Sequence, residues 1–256
     1  MAYRPRSLKH EYELYVDREI ENYKDSVPRR VVLGIGDEAV AVLHSQQQLA
    51  LTEILLCAEV DRIIRARLRL PSYVAWRKRR LRALAEFVKP ERWGLRPDGA
   101  LAQTLSTAAE GHVLVAGASE EGPALYLAAN GCAVTALDPT EQVLERVINT
   151  AAEVGLTGRI RGLVGDLGTW APDMPLDAVV CTGAAFAGLS GAERARAILL
   201  LQDATIAGGM HLVETGTDGV RLVTLEELQA VYDGWHVTIE HGGRSPETLL
   251  ARKAVA

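Results

Sequence analysis

The chain has 256 residues, of which 48% are hydrophobic and 24% are charged. This composition excludes disordered and collagen-like chains and suits one domain or two unequal ones. No apolar run approaches the ~20 residues needed to cross a bilayer, and the charged N-terminus is unlike a signal peptide, so we expect a cytoplasmic protein. Cys57, Cys132 and Cys181 lack C-x-x-C spacing, which favours buried, reduced thiols over a disulfide or a metal site.

Charge is distributed unevenly along the chain. Residues 1–100 carry 19 Lys/Arg against 14 Asp/Glu, whereas residues 101–256 carry 9 against 19. This asymmetry indicates two segments with different functions.

The first segment has the spacing of helices. Over residues 8–88, apolar residues recur three and four positions apart, and Pro28, Pro71 and Pro90 separate the runs, which predicts three to five helices. The stretch KPERWGLRPDG contains the prolines and glycines expected of a linker. We therefore predict a helical segment over 1–98 and a second domain over 99–256.

A glycine pattern inside this segment, VVLGIGDEAVAVL at 31–43, resembles a dinucleotide-binding turn. It leads into long helices without a second strand, and a lone glycine motif is a weak indication. We predict instead a helix that begins near Asp37.

A basic run occupies residues 65–82, with eight Lys/Arg, no acid, and Tyr73 and Trp76 between them. Helical spacing predicts that four apolar residues nearby face a core: Val74, Leu81, Leu84 and Ala85. The basic side is then a solvated face, or one that docks on the acidic domain, and nucleic-acid binding is not expected. Binding to RNA or to anionic lipid head groups is the alternative.

After Gly111, short apolar runs alternate with helical patterns. Seven runs predict strands: HVLVAG, AVTALD, IRGLVGD, DAVVCTG, GGMHLVET, WHVTIEHGG and TLLARKAV. Strands separated by helices form a parallel sheet covered on both faces, whereas the last two runs are close enough only for antiparallel pairing. The predicted fold is α/β, a doubly wound, mostly parallel seven-stranded sheet with an N-terminal helical segment.

In such a sheet the ligand lies beyond the carboxyl ends of the strands. The first strand is followed by the small-residue turn that begins at Gly117, where a ligand can approach the backbone. Asp138 ends the second strand, where a carboxylate can accept both hydroxyls of a ribose. Asp166 and Leu167 follow the third strand and could contact a base through a carboxylate and a backbone N–H. Together these positions favour a nucleoside ligand.

The runs VLVAGASEEGPALYLAANGCAVTALDPT, GDLGTW, LDAVVCTG and TIAGGMHLVE resemble class I S-adenosylmethionine-dependent methyltransferases over about residues 111–254. The resemblance implies a cofactor, S-adenosylmethionine, and a Rossmann-like fold closed by the antiparallel hairpin. It implies that the turn Gly117, Ala118 and Ser119 contacts the methionine part of the cofactor. The other implied cofactor-binding residues are Glu121, Asp138, Pro139, Asp166, Leu167, Thr182 and Gly183.

Three positions depart from the family pattern: the usual acid of the first strand is Val115, and two turn glycines are Ser119 and Glu121. The turn also resembles that of NAD(P)-binding short-chain dehydrogenases, but that family's Tyr-x-x-x-Lys pair does not occur here. A nucleotide-binding protein with degenerate catalysis is a further alternative. Helical additions to methyltransferases of this family commonly close the active site and pair subunits. The resemblance therefore also allows a homodimer.

The motifs of DNA methylation do not follow the fourth strand, which favours a small organic acceptor and direct in-line methyl transfer. Glu214, near the carboxyl end of the fifth strand, is the candidate catalytic residue, whereas His211 is expected to be packed within that strand. Tyr73 and Phe186 are the candidate substrate contacts.

Overall fold

The structure, a computed structural model, describes residues 7–45, 53–105, 111–118, 120–215, 223–241 and 247–255. The chain divides into two compact units, Ala2–Ala83 and Leu84–Ala256. The division falls inside a helix, whereas the sequence placed a boundary at 98/99. No described helix is long and apolar enough to span a membrane.

The described residues of the N-terminal part form four helices: α1 (Leu8–Ser26), α2 (Arg29–Ser45), α3 (Glu53–Arg67) and α4 (Tyr73–Phe87). Ser7 caps α1, since its hydroxyl accepts the N–H of His10 at 3.2 Å. The first three helices bury one stripe each, at the spacing that the sequence shows, and α4 adds aromatic rings. The buried core of the unit consists of Tyr12, Val16, Ile20, Ile35, Ala39, Ile63 and Ile64.

The start predicted for the second helix was wrong. Helix α2 begins at Arg29, so Gly34 and Gly36 lie inside it and Asp37 caps nothing. The helix tolerates them because Ile35, Ala39 and Leu43 supply a buried stripe whose packing outweighs the low helix propensity of glycine.

The face predicted to pack in α4 was also wrong. Val74 is 76% exposed and Leu81 is 44% exposed. Tyr73 and Trp76 pack instead, with ring centroids 5.4 and 5.5 Å from that of Tyr12. Aromatic rings bury more area than Val or Leu, so they decide which side of the helix faces inward.

The second unit alternates strands and helices. Its strands are β1 (His112–Ala116), β2 (Ala133–Asp138), β3 (Ile160–Val164), β4 (Leu176–Cys181), β5 (Thr205–Glu214), β6 (His236–Glu240) and β7 (Thr248–Arg252). Its helices are α5 (Ala100–Leu105), α6 (Gly122–Ala129), α7 (Glu141–Glu153), α8 (Gly191–Ala204) and α9 (Leu225–Val231), with short 3₁₀ helices at Pro90–Trp93, Thr157–Arg159 and Gly183–Phe186.

The strands form one sheet in the order β3-β2-β1-β4-β5-β7-β6. Strands β1 to β5 are parallel, and β7 pairs antiparallel with both β5 and β6. The predicted fold and its closing hairpin are therefore confirmed.

Successive strand residues face opposite sides of the sheet, and each side is covered by helices. Val113 and Val115 belong to the apolar layer that includes α6 and α7, and Leu114 and Ala116 to the layer that includes α8 and α9. Of the stretch expected to be a linker, Trp93 and Leu95 pack against the first layer. That stretch is thus a packed part of this unit.

Two of the three cysteines are buried, Cys132 and Cys181, but Cys57 is exposed on α3, so the expectation was wrong for that thiol. Cys57 is seven positions before Ile64 and so lies on nearly the same side of α3, but it belongs to the first turns of the helix, where Ile54 is also exposed. The described residues include no group of three or more His, Cys, Asp or Glu side chains that could hold a metal ion.

Candidate functional site

The sheet register aligns four residues at the carboxyl edge of the central strands. Leu137, Ala116, Cys181 and Val213 are neighbours across β2, β1, β4 and β5. The next residue of each strand continues the row: Asp138, Gly117, Thr182 and Glu214. With strands about 4.8 Å apart, the row spans roughly 14 Å, so the two carboxylates stand at opposite ends of a small-residue centre.

The centre of the row depends on Gly117. Its φ of +72° is rare for residues with a side chain, and a Cβ there would lie 2.4 Å from the Thr182 hydroxyl oxygen and 2.6 Å from the Ala185 nitrogen. Thr182 Oγ1 donates a hydrogen bond of 2.7 Å to the Gly117 carbonyl. Two strand ends are thereby fixed together. Ala118 beyond them is fully buried, and Ser119 lies outside the described residues.

Glu121 stands at the start of α6, where the methyltransferase pattern has a glycine, and its side chain is directed towards α7. Its Oε2 accepts a hydrogen bond of 2.9 Å from Thr150 Oγ1, and its Oε1 is 3.9 Å from Nε of Arg146. The carboxylate has partners of its own there.

Asp138 is 5% exposed at the end of β2. Its Oδ1 accepts the N–H of Thr140 at 2.9 Å, which fixes the carboxylate at the start of α7. Among the described residues, the Thr140 N–H is the one hydrogen-bond partner of the Asp138 carboxylate. The next residue, Pro139, is exposed. A fixed carboxylate at a strand end is able to accept hydrogen bonds from a diol.

Asp166 shapes the turn that follows β3. Its Oδ1 accepts from the N–H of Gly168 at 2.8 Å and from the N–H of Thr169 at 3.0 Å. Leu167 is 4% exposed and packs in the core. Contacts of Asp166 and Leu167 with a base stay predictions.

Glu214 has a perturbed acidity. Burial, and secondarily the negative charge of Glu120, raise its pKa from 4.5 to about 6, while a hydrogen bond from the Gly183 N–H opposes the rise. Glu120 therefore belongs to this edge, although sequence reasoning did not single it out. Its position in the turn after β1 was visible, but the approach of that turn to the end of β5 depends on tertiary structure.

The two candidate substrate residues lie in different units. Phe186, in the 3₁₀ helix after β4, is 1% exposed and packs in the core of the α/β unit. Tyr73 packs against Tyr12 in the helical unit. Their contact with a substrate stays a prediction.

A parallel sheet in this order, with the one antiparallel strand β7 inserted between β5 and β6, is the fold of class I S-adenosylmethionine-dependent methyltransferases. The all-parallel order 3-2-1-4-5-6 of dinucleotide-binding domains lacks that insertion.

Solved structures support this assignment. The chain is similar to TehB from Haemophilus influenzae, with a TM-score of 0.52 and 20% identity over 64% of this chain and 65% of that one. It is similar to the N-methyltransferase NodS from Bradyrhizobium japonicum WM9, with a TM-score of 0.50 and 12% identity over 62% and 99%. An O-methyltransferase family protein from Burkholderia thailandensis gives a TM-score of 0.51 and 15% identity over 60% and 53%. No protein-family model and no curated protein matches the sequence.

Proposed function

We propose that the protein is an S-adenosylmethionine-dependent methyltransferase that acts on a small organic acceptor. The observation that carries the proposal is the row of Asp138, Gly117, Thr182 and Glu214 at the carboxyl edge of a sheet with methyltransferase topology. Ligands of open α/β sheets bind at this edge.

The residues present fit the cofactor. Asp138 would hold the ribose hydroxyls, because its carboxylate is already fixed by the Thr140 N–H. The backbone at Gly117 and Gly183 has no side chain to obstruct the methionine part. Glu120 and Glu214 give the edge a negative potential suited to an ammonium or sulfonium group.

Glu121 does not stand in the way of this arrangement. Because its carboxylate contacts Thr150 and Arg146 on α7, it need not repel the carboxylate of the cofactor. The turn thus accommodates glutamate in place of glycine, because the side chain is held against α7.

The cofactor supplies an electrophilic methyl group on a positively charged sulfur. The protein's own task is to place the acceptor atom in line with that methyl and to remove its proton where necessary. We assign proton removal to Glu214, because a carboxylate with a pKa of about 6 is ionised at neutral pH and is a stronger base than an exposed glutamate.

Isothermal calorimetry with S-adenosylmethionine, S-adenosylhomocysteine and NADH tests the proposal. We expect both sulfur nucleosides to bind and NADH not to bind. Asp138→Asn should weaken binding by about 1–3 kcal/mol, the range for a hydrogen bond to a charged group. The matched control is Asp233→Asn, an exposed acid in the turn before β6. Binding of NADH alone would refute the proposal.

A further inference from the structure

One face of α4 combines exposed apolar and basic side chains. We define the α4 basic face by Val74, Arg77, Lys78, Leu81 and Arg82. All five are exposed, Val74 by 76% and Leu81 by 44%. At about 100° per residue, they fall within an arc of roughly 140°, with the aliphatic pair in the middle and cations on both sides.

This face is not the side that stabilises the helical unit. Tyr73 and Trp76 make the inward contacts, and Arg80 is 15% exposed beside Glu11, with Nε 3.2 Å from the carboxylate. The mean direction of the side chains of Tyr73, Trp76 and Arg80 is roughly 120° around the axis of α4 from that of Val74 and Leu81. Val74 and Leu81 therefore do not contribute to the packing of α4 against the helical unit.

The cations of this face differ from three other arginines of α3 and α4. Arg62, Arg67 and Arg80 each pair with a carboxylate, of Glu59, Glu38 and Glu11. Within the part of the chain that the structure describes, no acid lies within ion-pair distance of Arg77, Lys78 or Arg82. No Asp or Glu occurs between Asp61 and Glu86 in the sequence, so no acid close by in the sequence offsets the charge of Arg77, Lys78 and Arg82.

We infer that the α4 basic face binds anionic lipid head groups at a membrane surface, with Val74 and Leu81 inserted at the boundary with the acyl chains. Cations that flank an exposed aliphatic stripe match an interfacial helix, in which both charge and apolar area contribute to binding. Nucleic acid would use the cations alone and leave the stripe exposed to water. Pairing with a second copy would bring like charges together across the stripe.

Flotation of the full chain with vesicles tests the inference. Vesicles of phosphatidylserine and phosphatidylcholine in equal amounts should bind the protein, and phosphatidylcholine alone should not. Arg77→Gln with Arg82→Gln should weaken binding by about twenty-fivefold, since each cation near an anionic surface contributes about fivefold. Val74→Ser with Leu81→Ser should weaken it by about tenfold, with every charge retained. The control is Leu33→Ser, at an exposed apolar position on α2.

Circular dichroism confirms that each variant is folded, which is expected because the substituted side chains are exposed. A wild type that does not float with the anionic vesicles overturns the inference. Unchanged binding by the Val74→Ser, Leu81→Ser protein also overturns it, because the stripe would then contribute nothing. Tighter binding to a double-stranded RNA than to the vesicles, retained by that same variant, would assign the face to nucleic acid instead.

Discussion

The hydroxyl of Tyr232 lies 2.7 Å from Nδ1 of His211, between the end of α9 and strand β5. Nε2 of the same ring is 2.7 Å from the Thr205 hydroxyl, and the ring is fully buried. Burial, and secondarily the charge of Lys253, lower the pKa of His211 from 6.5 to about 3. The histidine is thus a neutral member of a buried polar network, as the packed role predicted for it requires.

This network predicts a dependence of stability on pH. Between about pH 6.5 and pH 3, His211 is protonated in the unfolded chain but neutral in the folded one. The unfolded state then binds more protons, so the free energy of unfolding should fall by about 1.4 kcal/mol per unit as the pH drops through this range. Urea unfolding at several pH values measures the slope.

His211→Gln removes this titration and should reduce the slope, whatever it does to the stability at pH 7. His236→Gln, at an exposed position on β6, should leave the slope unchanged and is the control. Equal slopes for His211→Gln and the wild type would contradict a neutral, buried His211.

Glycine-to-alanine substitutions at Gly117 and Gly34 test the backbone conformation at these positions. The same substitution should have opposite effects on stability at the two positions. Gly117→Ala should destabilise the fold by about 1–3 kcal/mol, since its φ is +72° and a Cβ would lie 2.4 Å from Thr182 Oγ1. Gly34→Ala should stabilise it by about 0.5–1 kcal/mol, because no atom lies within 4 Å of its Cβ position inside α2. Thermal unfolding of both variants compares them, and stabilisation by Gly117→Ala would contradict the left-handed turn.

Much of the sheet could be predicted because buried parallel strands are continuous apolar runs that end in glycine or a polar residue. HVLVAG and AVTALD show this directly, and β2 has the predicted bounds. The packing face of α4 could not be predicted, because Tyr73, Trp76, Val74 and Leu81 are all apolar and only the position of Tyr12 decides between them. Local spacing carries no information on that partner.

The candidate site was predictable to the extent that it follows strand ends. Asp138 and Glu214 end β2 and β5 and so share an edge with Gly117. Glu120 was missed because its effect on Glu214 depends on how a turn after one strand approaches another. The turn formed by Asp166 with Gly168 and Thr169 was missed for a different reason: the GDLGT segment fits a capped turn and a ligand contact equally well.

Glu121→Gly tests whether the departure in the turn matters for the cofactor. The Glu121 carboxylate contacts Thr150 and Arg146, so its removal should change the dissociation constant of S-adenosylmethionine by less than tenfold, about 1.4 kcal/mol. Thr150→Val, which removes only the hydroxyl partner, should have a similarly small effect. A wild type that binds nothing, with tight binding restored by Glu121→Gly, would show that the turn excludes the cofactor.

Glu214→Gln should stabilise the protein at neutral pH while lowering the proposed methyl transfer. The folded pKa of about 6 exceeds the ordinary value of 4.5, so folding disfavours the charged form. The gain should be about 1–2 kcal/mol above pH 6 and should vanish below pH 4.5, where the wild-type carboxyl is protonated in both states. Thermal unfolding at pH 7 and pH 4 measures it. Destabilisation at pH 7 would mean that the charge of Glu214 is compensated in the fold.

Glu120→Gln should alter the pH profile of the reaction by its effect on Glu214. If Glu214 removes the proton of the acceptor, kcat/KM should fall as the pH drops through about 6, because protonation abolishes the base. Glu120 raises the pKa of Glu214 through its negative charge, so its neutralisation should move this acidic limb to lower pH. Glu226→Gln, which neutralises an exposed acid on α9, is the control and should leave the limb in place. The fall of kcat/KM could stay at the same pH in Glu120→Gln but disappear in Glu214→Gln. Glu214 would then still be the base, but electrostatic coupling between the two carboxylates would be excluded. A limb that persists in Glu214→Gln would assign proton removal to another group.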